Sequence, residues 1–179
     1  MPPIVSFSKS GTGDMPEPRG QVFTTTVYVD CYSGGDCVTL ISRTEFTIFL
    51  IGSPIYWRIA KQHICEVSTF ESEFTAMKQA VEYVCGLRYK LKIMFIPCED
   101  PTFVYGDNKY VLSNTKVPAS TLKKNMNSLS YHFVSEVFAR DEWCTAYVNT
   151  NLNLANLLTK PFPLGEKLWG FVRIFLHWL

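Results

Sequence analysis

Residues 22–30 read Val22-Phe23-Thr24-Thr25-Thr26-Val27-Tyr28-Val29-Asp30, a run of β-branched and aromatic side chains that ends on an acid. Such side chains lose χ1 freedom against a helical turn and pack well on a pleated surface. The pattern predicts a strand over residues 22–29, with Asp30 directly after it. Ser33-Gly34-Gly35, within residues 32–36, reads as a turn. Two further strand-like runs follow at 46–51 and 55–59, split by Gly52-Ser53-Pro54. Three such runs separated by short turn sequences predict an antiparallel meander.

The period then changes. Between residues 69 and 94, Phe70, Phe74, Met77, Val81, Val84, Leu87 and Leu91 recur at spacings of three and four. That spacing places them on one buried helix face. Ser68 or Thr69 can cap the start, and Glu71 in the first turn suits the helix dipole. Proline at 97 and 101 ends the helical region. Residues 102–105 (TFVY) form a short apolar strand running into Gly106-Asp107-Asn108. A second helix is expected over 124–139, a strand over 143–148, and a short helix over 154–158 before Pro161 and Pro163. A meander followed by strand–helix alternation implies an α/β fold with a mixed sheet and helices packed on it.

Composition limits the function classes. Of 179 residues 47% are hydrophobic and 18% charged, which is a globular balance with enough apolar mass for a core. A net charge of +1 gives no strong basic excess, so a pure nucleic-acid-binding module is disfavoured. Cysteines stand at 31, 37, 65, 85, 98 and 144 with no Cys-x-x-Cys pair, which argues against a zinc finger or zinc deaminase site. Several sit in apolar runs, such as Tyr83-Val84-Cys85 and Ile96-Pro97-Cys98, and read as reduced thiols of an intracellular protein. No signal peptide and no apolar run of roughly 20 residues is present, so no membrane span is expected. The chain divides into a leader over 1–20, a domain over 21–163 and an apolar tail over 164–179. The tail (LWGFVRIFLHWL from Leu168) is expected to be a final helix packed on the domain.

Three acids sit where chemistry could use them. Asp30 follows the first strand, Asp107 follows the strand at 102–105, and Glu73 lies early in the long helix. Strand ends and helix starts converge on one edge of a mixed sheet. Carboxylates brought together there repel unless divalent cations lie between them, as two-metal phosphodiester hydrolysis requires. At about 100° per residue Glu71 and Glu73 point well apart, so only one can face such a site, and the wheel alone does not choose. Other candidates are weaker. His63 and Cys65 have no third partner, His132 reads as half-buried, and Lys123-Lys124 is a short basic patch that could touch a nucleic-acid backbone.

Several ordered motifs resemble one family. Tyr28-Val29-Asp30 followed by Gly35-Asp36 is similar to the first acidic motif of copia-type retrotransposon ribonucleases H. Phe49-Leu50, Pro54-Ile55-Tyr56-Trp57 and Lys61-Gln62 resemble that family's meander. Val67-Ser68-Thr69-Phe70-Glu71-Ser72-Glu73-Phe74 resembles the second acidic motif, a match that selects Glu73. Leu87-Arg88-Tyr89 continues the helix as the family does. Tyr105-Gly106-Asp107-Asn108 resembles the third acidic motif. Tyr131-His132-Phe133-Val134 and residues 153–161, from Asn153 to Pro161, resemble the closing motifs. The likeness runs from about residue 18 to 163.

The resemblance implies a ribonuclease H-like fold, a five-stranded mixed sheet with an antiparallel meander then parallel strands, flanked by helices. It implies hydrolysis of the RNA strand of an RNA/DNA hybrid with two Mg²⁺ or Mn²⁺ ions. Asp30 would bridge both ions, and Glu73 and Asp107 would complete one ion's shell. Asn108, Lys123 and Lys124 are the candidate substrate contacts. A reverse transcriptase domain of the same polyprotein is the implied partner. The family's fourth acid falls at Asn156, which removes one negative charge from the metal site. Residues 148–153 hold no histidine, the usual arginine pair is replaced by Leu40-Ile41, and Glu45 stands where the family has glycine. The alternative reading is therefore a catalytically inactive relic, or a structural or hybrid-binding domain of the same fold.

Overall fold

The computed structural model describes residues 23–33, 41–63, 68–96, 98, 100–116, 128–140, 142–158 and 165–176. Strands β1 (Thr25–Tyr32), β2 (Arg43–Leu50) and β3 (Ser53–Lys61) form the expected antiparallel meander. Helix α1 (Thr69–Ile93), strand β4 (Thr102–Gly106), helices α2 (Lys109–Lys116) and α3 (Ser128–Ala139) and strand β5 (Trp143–Tyr147) follow. Two 3₁₀ turns, Thr150–Leu152 and Leu154–Leu158, lead to helix α4 (Glu166–Leu176). The sheet order is β3-β2-β1-β4-β5, with β4 parallel to both β1 and β5.

The β2–β3 hairpin closes on Ile51 and Gly52, both with positive φ (51° and 75°). Positive φ at both central residues gives the turn the twist that a two-residue hairpin needs. It is costly for a β-branched residue, and the Ile51 amide is held there by a hydrogen bond to the Thr24 carbonyl (3.0 Å).

Strand alternation puts one apolar set on each face of the sheet. Val27, Val29, Phe46, Ile48 and Val104 face α1, which presents Phe74, Met77, Ala80, Val81 and Val84. Ser68 caps this helix by accepting from the Glu71 amide (3.3 Å), and Lys90 and Lys92 sit in its last turn, where the dipole favours cations. The opposite face carries Phe49 and Tyr28, covered by Leu154 and by Phe171 and Phe175 of α4. The apolar tail thus docks on the sheet. Among the described residues no helix is long and apolar enough to cross a membrane.

Three details differ from expectation, and one expected helix lies partly outside the described residues. β1 runs three residues further, so Asp30 lies inside the strand, paired with Glu45, and not after it. Helix α2 is absent from the sequence reading. The expected helix over 124–139 is described from Ser128, and residues 117–127 lie outside the described residues. His132 is exposed, not half-buried, because its face of α3 points away from the core.

Candidate active site

Chain direction fixes where a site can form. β1 continues into β2 and β3 on one side, while β4 and β5 lie on the other, so the winding reverses between β1 and β4. Ligands of open α/β sheets bind outside the carboxyl ends of strands at such a switch point. A cleft opens there, lined by Val29, Asp30, Glu73, Met77, Gly106, Asn108, Val111 and Leu112. Asp30 is buried, at 5% exposure, and Glu73 reaches the same cleft from the second turn of α1. Glu71 is not among the lining residues.

Asp107 stands between Gly106 and Asn108, both of which line the cleft; its own half-buried side chain is not part of the wall. Asn108 caps α2, its Oδ1 accepting from the amides of Tyr110 (2.9 Å) and Val111 (3.2 Å). Lys123 and Lys124 lie outside the described residues.

A third carboxylate stands on β2, outside the cleft wall. Glu45 is fully buried and is the direct antiparallel partner of Asp30, which puts both side chains on one face of the sheet. The Cys31 thiol reports the resulting field. Its pKa is raised to about 12, by burial first and then by Asp30, Glu73 and Glu45, with the Ser33 hydroxyl working against them. A buried thiol in a negative field stays protonated and inert.

Two buried amides hold the acids' backbones. The Gln62 amide nitrogen donates to the carbonyl of Ser72 (2.8 Å), the residue before Glu73. The Asn153 amide nitrogen donates to the carbonyl of Val29 (2.9 Å), the residue before Asp30. Gln62 also reaches Thr44 Oγ1 (3.2 Å), and the Ser42 and Ser72 hydroxyls meet at 3.0 Å, so the start of α1 is stapled to the sheet. Asn153 further accepts from the Ala155 amide (3.2 Å). The sequence motifs include both positions and assign neither a role. The signal for them is an amide at 153 between two leucines and one at 62 just past a strand.

Asn156, the fourth candidate, is 2% exposed, and its amide nitrogen donates to the Thr150 carbonyl (2.6 Å). Its side chain ties the two 3₁₀ turns together. An aspartate could not make that bond while ionised, because it has no donor. Among the described residues no group of three or more His, Cys, Asp or Glu side chains is placed to share a metal ion. Asp30 and Glu73 are the pair that shares a cleft. Mg²⁺ is commonly held by one or two carboxylates plus waters and substrate phosphate, and this donor set fits one such ion.

The chain is similar to known proteins in sequence and in fold. The chain is 26% identical over 149 residues to a retrovirus-related Pol polyprotein from transposon RE2 of Arabidopsis thaliana, covering 80% of this chain and 10% of that protein. It is 23% identical over 163 residues to the retrovirus-related Pol polyprotein from transposon TNT 1-94 of Nicotiana tabacum, covering 91% and 12% respectively. The homologues of this chain are Pol polyproteins of copia-type transposons. The chain spans about one tenth of the length of the curated relatives it matches. No protein-family model matches it. Among solved structures, LC11-RNase H1 isolated from compost superposes with a TM-score of 0.54 at 14% identity, covering 75% of this chain and 91% of that one. The five-stranded sheet with its helices is therefore the ribonuclease H fold, and the cleft lies at its β1–β4 switch point.

Proposed function

We propose that this chain is a divalent-metal-dependent ribonuclease H domain that hydrolyses the RNA strand of RNA/DNA hybrids. Its setting would be an intracellular Pol polyprotein, beside a reverse transcriptase domain. The observation that carries the reading is the convergence of buried Asp30 and half-buried Glu73 on one cleft at the sheet's switch point. The four described cysteines are free, which suits a reducing compartment.

The chain's own groups divide the work. Asp30 and Glu73 would hold one ion, and the clamps on the carbonyls of Val29 and Ser72 hold the backbone beside them. An ion held by these two carboxylates would supply Lewis-acid chemistry, polarising a phosphoryl oxygen and acidifying a nearby water. Asp107 stands beside the cleft mouth, on the side from which a scissile phosphate would enter. Val29, Met77, Val111 and Leu112 line the remaining wall and limit water in the cleft. Recognition of the RNA strand would rest on its 2′-hydroxyls, the group that separates RNA from DNA.

The amide at 156 supports a second reading, a hybrid-binding domain without cleavage. Asn156 is committed to Thr150 and brings no charge for a second ion. Incubation of a labelled RNA/DNA hybrid with the full chain and Mg²⁺ or Mn²⁺, beside Asp30→Asn, separates the two. Metal-dependent cleavage that disappears in Asp30→Asn is the expected result. A folded wild type that binds the hybrid and leaves it intact sinks the nuclease and leaves the binding domain.

A further inference from the structure

Helix α2 begins directly after Asp107 and Asn108, and its first two side chains leave it in different directions. Adjacent helical residues point about 100° apart. Lys109 turns toward β5, where its Nζ stands 4.5 Å from the centroid of the Tyr147 ring. Tyr110 turns toward α1, where its ring meets that of Phe70 edge-on with centroids 5.2 Å apart. Tyr147 is the register partner of Gly106 in the cleft wall, and Phe70 lies just one turn before Glu73. The first turn of α2, between the cleft-lining Asn108 and Val111, therefore reaches from β5 on one side to α1 on the other.

These side chains are not needed to hold the helix down. Val111 and Leu112 supply its buried anchors and Asn108 its cap. Yet the mouth is aromatic and open to solvent, with Tyr110 65% and Tyr147 47% exposed and Lys109 exposed between them. We propose that Lys109 and Tyr147, flanked by Tyr110, grip the sugar-phosphate backbone of the hybrid as it enters the cleft. This rests on the ribonuclease H reading above and names the residues that position its substrate.

The physical case is electrostatic first. Carboxylates line the cleft and repel a phosphate, and a chain of net charge +1 exerts little long-range pull on a polyanion. A local cation at the mouth must offset that repulsion. Tyr147 fixes the ammonium in place without neutralising it, since a cation over a ring keeps its charge and its donors, whereas a carboxylate partner would cancel it. The tyrosine faces then offer sugars and bases a stacking surface that is indifferent to sequence.

Fluorescence anisotropy of a short labelled hybrid, with the full chain in EDTA so that nothing is cleaved, tests this. Lys109→Ala is expected to weaken binding about fivefold or more and to lower the salt slope by about one phosphate contact. Tyr147→Ala should also lose about fivefold or more through stacking. Lys109→Arg should bind as wild type does, and so should Tyr89→Ala, a substitution on exposed α1 surface. Wild-type binding with both alanine variants unchanged overturns the grip and leaves the ribonuclease H reading standing. A weakened Lys109→Ala with an unchanged salt slope overturns the phosphate contact. No hybrid binding by the folded wild type overturns the underlying reading as well.

Discussion

The corner where β1 meets α1 carries charge, while the corner formed by residues 149–158 carries amides. In the first, Asp30, Glu45 and Glu73 all raise the pKa of one thiol, that of Cys31. In the second, Asn149, Asn153 and Asn156 accept or donate within a few residues of one another, and Asn153 reaches across to Val29. The two corners touch through that last bond. Carboxylates are suited to binding a cation but are costly to bury. Primary amides both donate and accept, so they satisfy a turn's backbone at no cost in charge. The difference places the Asn156 side-chain donor in the amide corner, on the Thr150 carbonyl. There it holds a turn.

The largest test of this contrast removes charge from the first corner. Asp30→Asn keeps the shape and loses the carboxylate. Since second-shell changes alone cost about 10–100-fold in metal affinity or activity, Asp30→Asn is expected to lose at least about 100-fold in Mn²⁺ affinity. Titration followed by electron paramagnetic resonance reads it, and an unchanged affinity breaks the assignment of charge to this corner.

Cutting the bond between the corners should do less. Asn153→Ala leaves the Val29 carbonyl without this buried donor and is expected to cost roughly 1–3 kcal/mol in urea unfolding. Metal affinity should drop by about tenfold, because Asp30 loses its backbone clamp. Lost stability with full metal affinity would make Asn153 structural only.

Asn156→Asp sharpens the comparison further. An ionised carboxylate beside the Thr150 carbonyl replaces an attraction by a repulsion, so a loss of about 1–2 kcal/mol is expected at pH 7. Burial and the carbonyl raise the folded-state pKa of the new acid above its unfolded value of about 3.9. A group raised in this way stabilises fully below the unfolded pKa and loses that contribution as pH rises through the folded one. The variant should therefore match wild type near pH 3.5 and fall behind as pH rises. Equal stability at pH 7 would show that residue 156 tolerates charge and that the amide corner is not closed.

The smallest effect is local. Cys31, pushed up to about 12, should resist iodoacetamide at pH 8 in the folded chain, while exposed Cys144 reacts. Mass spectrometry of labelled peptides reads both, and early labelling of Cys31 would contradict the negative, buried setting.

Much of this is legible in the sequence. The run ending at Tyr28-Val29-Asp30 and the spacing from Phe70 to Leu91 specify a strand and a helix by side-chain shape and period alone. The meander followed by alternation then implies a mixed sheet. Helix α2 was not legible, because Ser113, Asn114 and Thr115 are poor helix formers over only eight residues. Burial of Val111 and Leu112 and the Asn108 cap outweigh that propensity. Placing Asp30 after β1 failed for a related reason. A buried acid inside a strand has no signature in propensity, and pairing with Arg43, Thr44 and Glu45 is what extends β1 to Tyr32.

The amino-acid sequence by itself determined the fold class and the identity of the candidate acids, because hydrophobic period and motif order are properties of the chain read locally. Only the tertiary structure decided which acids meet, that Glu45 faces Asp30, that Gln62 and Asn153 clamp the residues before the two acids, and that Asn156 serves a turn. The clamping and turn bonds join side chains to backbone carbonyls, every residue has such a carbonyl, and only the folded path brings one particular carbonyl within reach of one particular amide.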